Sequence, residues 1–71
     1  MYGTKVIKGV EYVSFSVEMA QFGGMSKADA KELLKEAGIK FSFSDAYTPF
    51  VGHWAVWIEK SRSDDAEKIL F

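Results

Sequence analysis

The one histidine of the chain is the first residue to examine for chemistry, because imidazole can act as an acid, a base or a metal ligand near neutral pH. As a catalytic base, His53 would need a nucleophile or an orienting carboxylate beside it. Ser42, Ser44 and Asp45 could face it across a hairpin, so an enzyme that uses His53 with Ser44 or Asp45 is one hypothesis. We favour the interpretation that His53 is a surface residue at a strand edge.

Metal and cofactor chemistry has little support in the residue types. One histidine and no cysteine exclude two-histidine and thiolate metal sites, and the carboxylates do not follow an EF-hand spacing. Asp64 and Asp65 are better explained as charges at the start of a helix than as an acid–base pair. The sequence therefore predicts no metal, no cofactor and no enzymatic activity.

A glycine pair and a lysine stripe raise the question of anion or nucleic-acid binding. Gly23-Gly24 leads into a predicted helix, but neither the dinucleotide-binding spacing nor the P-loop lysine is present. Lys27, Lys31 and Lys35 recur on one side of that helix, as on an ordinary solvated face. Nine basic and ten acidic residues give a net charge of −1, which disfavours nucleic acid as a partner.

Aromatic residues give the strongest indication of a binding surface. If Trp54, Val56 and Ile58 face the helices, Trp57 faces the other way, beside His53 and near Tyr12. With the opposite register Trp57 would be buried and Trp54 exposed, so in either case one tryptophan lies on the face away from the helices. Exposed aromatic clusters mark contact surfaces, although the amino-terminal segment could instead cover this one. The predicted partner-binding residues are Tyr12, Glu18, Tyr47, His53 and Trp57.

The elements that position these residues follow from hydrophobic periodicity. Alternation predicts strands over residues 12–19, 39–44 and 53–59. On the first strand it places Val13, Phe15, Val17 and Met19 on the apolar side. Helical spacing predicts a helix from Ser26 to Gly38, with Ser26 as its cap, and a terminal helix with a cap and two acids in 61–65. The inward residues of these helices are Ala30, Leu33, Leu34, Ala37, Ala66, Ile69 and Leu70.

The segment before the first strand allows two interpretations. Extending the alternation back through Gly9 would place Glu11 on the apolar face, so we expect something to break the register. Gly9 is either a bulge in one long strand or the second residue of a Lys8-Gly9 hairpin turn. We favour the bulge.

These elements predict one α+β domain over residues 1–71. Its sheet is antiparallel or mixed, with three to four strands and both helices packed on one face, in the order βαββα. The helix between the first two predicted strands makes them parallel, with another strand between them. This arrangement is a truncated ferredoxin-like sandwich. An apolar fraction of 48% with 15% aromatics is typical of a folded chain.

Two segments carry a family resemblance that covers about half of the chain. The segments 31–39 (KELLKEAGI) and 64–70 (DDAEKIL) resemble small signal-transducing domains with a βαββα ferredoxin-like fold. The long first strand and the glycine pair depart from that pattern. The resemblance implies a regulatory or ligand-sensing module that associates through its sheet.

The sequence therefore supports two functions. The first is a non-catalytic module that docks its open sheet face and the 47–53 loop onto another protein and occludes it. Size and slight acidity fit small phage- or mobile-element-encoded inhibitors of host machinery, including nucleic-acid-mimicking and anti-defence proteins. The second is a homodimeric regulatory or ligand-sensing domain.

The expected location is the cytoplasm, without a membrane partner. The amino terminus has no signal-peptide pattern. The longest apolar run, Trp54–Ile58, is far shorter than the roughly 20 residues of a spanning helix.

Overall fold

The computed structural model describes residues 3–44 and 52–71, which form four strands and two α-helices. In chain order these are β1 (Thr4–Ile7), β2 (Val10–Glu18), α1 (Lys27–Glu36), β3 (Phe41–Ser44), β4 (His53–Glu59) and α2 (Ser63–Leu70). Short 3₁₀ turns precede the two helices at Ala20–Phe22 and Lys60–Arg62. The predicted α+β class and the two predicted helices are confirmed.

The strands form one antiparallel sheet in the order β1-β2-β4-β3. Because β2 and β3 are both antiparallel to β4, they run in the same direction on either side of it. The sequence left open whether the sheet is antiparallel or mixed and whether it has three or four strands. The fourth strand comes from the segment that we expected to be continuous with β2.

A hairpin, not a bulge, joins β1 to β2. Lys8 has φ 50° and Gly9 has φ 80°, and the flanking pair Ile7–Val10 closes a two-residue loop. Two adjacent residues with positive φ are the mark of a type I′ turn, whose twist matches that of a hairpin. The bulge prediction is therefore wrong, and the predicted order βαββα is preceded by one additional strand.

Glu11 shows why no break in register is needed. It lies on the same side of β2 as Val13, but near the strand end, where it is exposed. Its carboxylate lies 3.2 Å from the Lys60 ammonium. The alternation of core-facing and outward residues continues unbroken to the end of β2. The packing that buries Val13 on that side does not extend as far as Glu11.

The core lies between the two helices and one face of the sheet. Its buried members are Val13, Phe15, Val17, Ala30, Leu34, Ile39, Trp54, Val56, Ile58, Ala66 and Leu70. These include the inward positions predicted for β2 and β4. Met19 and Leu33 differ from the prediction, because they are 38% and 39% exposed.

The two helix starts differ. The Ser26 hydroxyl accepts a hydrogen bond from the Asp29 N–H at 3.2 Å, as the capping pattern predicts. Ser61 does not cap α2, because it lies in the 3₁₀ turn and its hydroxyl donates to Glu59 Oε1 at 2.7 Å. No helix in the described part of the chain is long and apolar enough to cross a membrane.

Candidate functional site

The sheet face opposite the helices carries the predicted docking residues. Side chains of paired residues on neighbouring strands lie on the same face, so the register assigns each residue to a side. Tyr12, Glu18, His53 and Trp57 all lie on this open face, on the two central strands β2 and β4. Tyr47 lies outside the described residues.

Tyr12 and Trp57 are neighbours at one end of the open face. Tyr12 on β2 pairs with Glu59 on β4. Ser14, two residues after Tyr12, pairs with Trp57, two residues before Glu59. The two aromatic residues are therefore diagonal neighbours, a separation that aromatic side chains can bridge. Both are partly buried, so the structure brings these two predicted residues into one cluster.

The Trp57 side chain extends across β2 toward β1. Its Cη2 atom lies 3.8 Å from the position that a Cβ atom would occupy on Gly3. Gly3 is the neighbour of Ser14, since the Ser14 N–H donates to the Gly3 carbonyl at 3.0 Å. The indole thus passes over Ser14, which explains why this serine is only 7% exposed on a face that no helix covers.

A lysine that was not predicted from the sequence completes this cluster. The Lys5 ammonium lies 4.3 Å from the centroid of the Trp57 ring, and Lys5 pairs with Tyr12. A cation over an indole contributes about 0.5–1 kcal/mol at an exposed site. The hairpin interpretation would have placed Lys5 directly opposite Tyr12 and so at this end of the open face.

Glu18 and His53 form a separate pair at the other end of the face. They are direct register partners at the end of β2 and the start of β4. His53 is four residues from Trp57 along β4, which corresponds to about 13 Å in an extended strand. The structure therefore does not bring Glu18 and His53 together with the aromatic cluster.

The middle of the open face is closed to solvent. Ser16 is 9% exposed and its partner Ala55 is 6% exposed. The Ser16 hydroxyl is buried, and no group within the described ranges hydrogen-bonds to it. A partner can therefore reach the open face at its two ends, the partly buried aromatic end with Tyr12 and Trp57 and the end with the exposed Glu18.

Trp54 is the buried member of the tryptophan pair, which the sequence left undecided. It is 4% exposed, and its indole Nε1–H donates to the Met25 carbonyl at 2.7 Å. Its ring meets Phe43 edge to face, with the centroids 5.5 Å apart. Trp54 thus belongs to the core, and Trp57 is the tryptophan available for contact.

Of the residues proposed for catalysis, the sheet register places Ser42 far from His53 and Ser44 near it. Ser42 pairs with Trp57, so about 13 Å of strand separates it from His53. Ser44 pairs with Ala55, two residues from His53 on β4, so its backbone position is diagonally opposite His53. Asp45 lies outside the described residues. Within the described ranges, no group of three or more His, Asp or Glu residues could hold a metal ion.

The glycine pair also has a structural explanation. The amides of Gly23, Gly24 and Met25 donate to the carbonyls of Ala20, Met19 and Glu18, respectively. Any Cβ atom on Gly24 would overlap the Glu18 carbonyl, so the close approach of the two chain segments requires glycine there. These amides are already engaged and are not available to hold a phosphate.

Compared with known protein families, with curated proteins and with solved structures, the chain has no significant match.

Proposed function

We propose that this chain is a small, non-catalytic protein-binding module that docks onto another protein through the Tyr12–Trp57 end of its open sheet face. The observation that carries the proposal is the position of Trp57. A large indole lies on the face without helices, beside Tyr12 and beneath the Lys5 ammonium at 4.3 Å. Tryptophan and tyrosine in this setting offer a large contact area at a low cost in side-chain entropy.

The proposed mechanism is occlusion. The module would cover a functional surface of its target without any chemical step, as small phage- or mobile-element-encoded inhibitors and anti-defence proteins do. This class is proposed on size, composition and the aromatic surface together, with the cytoplasm as the compartment.

The experiment is a capture of partners from lysate of the source organism, with the tagged full chain and its Trp57→Ala variant compared by mass spectrometry. We expect one dominant protein to be retained by the native chain and lost with the variant. Removing an interface tryptophan costs about 2 kcal/mol or more of binding free energy, or roughly 30-fold in affinity. The purified partner then permits a direct measurement of that loss.

Leu33→Ala is the matched control for this experiment. Leu33 is an exposed apolar residue on α1, at 39% exposure, on the opposite side of the molecule. Its replacement should leave capture unchanged. Equal binding by native protein and a folded Trp57→Ala variant would refute docking through this surface.

A second candidate function is a homodimeric regulatory or ligand-sensing domain of truncated ferredoxin-like fold. Its support is the element order from β2 onward, strand, helix, strand, strand, helix, with both helices against one face. The free face would then receive a second copy. A thermal-shift screen with metabolites tests this function, since a ligand that binds only the native state raises its stability.

A further inference from the structure

We infer that the outer edge of β1 binds an extended, acidic segment of a partner protein as an additional antiparallel strand. The inference rests on the proposed protein-binding function. The inference depends on the main chain of β1 and the proposed function on the Trp57 side chain, with Lys5 common to both. N-methylation of the peptide tests the main chain alone, and Trp57→Ala tests the indole alone, so each proposal can fail without the other.

The first support is the direction of the main-chain groups of β1. In a two-residue hairpin the closing pair Ile7–Val10 is hydrogen-bonded, and hydrogen-bonded pairs then alternate along the ladder. The bond from the Ser14 N–H to the Gly3 carbonyl fits this alternation. The N–H and C=O groups of Thr4 and Val6 therefore point away from β2.

The second support is the exposure of this edge. β1 is the terminal strand of the sheet, and no described strand lies beyond it. Val6 is 65% exposed and Ile7 is 41% exposed, on opposite sides of the strand. A row of outward main-chain groups flanked by exposed β-branched side chains is a template for strand addition.

The third support is charge, which sets the chemistry of the added strand. Lys5 lies in the middle of β1, and Lys8 is exposed in the adjoining turn. The acid paired with β1 in the register, Glu11 opposite Val6, already pairs with Lys60 at 3.2 Å. The edge thus has an excess of positive charge, which an acidic strand would balance.

The same lysine disfavours a second copy as the occupant. A symmetric pairing of two β1 strands that uses the outward groups of both Thr4 and Val6 puts Thr4 opposite Val6 of the other copy. Lys5 then lies opposite Lys5 at a non-hydrogen-bonded position, where side chains are closest. An acidic residue at that position would make a favourable cross-strand pair instead.

The test is an NMR titration of the ¹⁵N-labelled full chain with a capped peptide of sequence Val-Glu-Val-Glu-Val. Amide shifts should concentrate at Thr4–Ile7. N-methylation of the central valine removes one donor to the edge and should weaken binding about fivefold, the equivalent of one hydrogen bond. Lys5→Glu should weaken binding about threefold, and a Val-Lys-Val-Lys-Val peptide should recover binding to that variant.

Three results would overturn the inference. Equal affinity for the N-methylated peptide would show that main-chain pairing is not involved, and shifts at Tyr12 and Trp57 in its place would put the peptide on the open face. Absence of binding at millimolar peptide would show that the edge is not a strand acceptor. Shifts of the β1 amides with protein concentration alone would show that a second copy occupies it.

Discussion

At the scale of single residues, the two tryptophans have opposite roles. Trp54 fills the core and its Nε1–H donates to the Met25 carbonyl, whereas Trp57 lies on the open face beside Lys5. Trp54→Phe should lower the free energy of unfolding by about 1–3 kcal/mol, because the Met25 carbonyl loses its donor. Trp57→Phe should lower it by less than about 1 kcal/mol. Urea unfolding of both variants measures the difference, and equal losses would contradict this assignment.

Gly24 and Gly38 also differ at this scale, in the space available for a side chain. A Cβ atom on Gly24 would overlap the Glu18 carbonyl, whereas one on Gly38 would meet open space. Gly24→Ala should cost about 3 kcal/mol, because the segment must shift and the bond from the Met25 N–H to that carbonyl is lost. Gly38→Ala should lower the free energy of unfolding by about 1–2 kcal/mol, because the left-handed φ of 71° at this position is unfavourable for alanine. Chemical denaturation gives both values, and a larger loss for Gly38→Ala would be inconsistent with the packing at Gly24.

At the scale of elements, two similar sequence signals give different helix starts. Ser26 and Ser61 each precede an acid by three positions, Asp29 and Asp64. Only Ser26 caps its helix. Ser61 lies within the 3₁₀ turn Lys60–Arg62, and α2 begins two residues later, at Ser63. The pattern is compatible with both outcomes, so sequence alone could not separate them.

This difference leads to a prediction about stability. Ser26→Ala should cost about 1 kcal/mol, the usual value for a lost helix cap. Ser61→Ala, with its exposed bond to Glu59, should change stability by no more than about 0.5 kcal/mol. Thermal or urea unfolding of the pair measures both effects. A loss at Ser61 that equals or exceeds the loss at Ser26 would refute the distinction.

At the scale of the whole molecule, Lys5 governs how the sheet edge meets other chains. Lysine on an edge strand opposes edge-to-edge association. Lys5→Val should therefore promote self-association through β1, measured by sedimentation equilibrium against the native chain. Lys31→Val, on the exposed surface of α1, is the matched control and should sediment as the native chain does. If Lys5→Val and the control sediment identically, Lys5 does not protect this edge.

Much of the fold follows from local pattern. The alternation in β2 and β4 assigned alternate residues to opposite faces, so Trp54 and Trp57 had to lie on opposite faces. Only the structure decided which of the two tryptophans enters the core. The spacing in α1 and the Gly38 terminus likewise fixed that helix. These features are predictable because they depend on which side of one element a residue faces, and that repeats along the chain.

The remainder was decided by tertiary structure. The residues around Gly9 permit a bulge or a turn, and only the pairing of β1 with β2 selects the turn. The contacts of Trp57 with Gly3 and Lys5, and the burial of Ser14, depend on distances across three strands. The exposure of Leu33 depends on how far the helices cover the sheet. Local periodicity carries no information on such distances, because they arise when separate segments pack together.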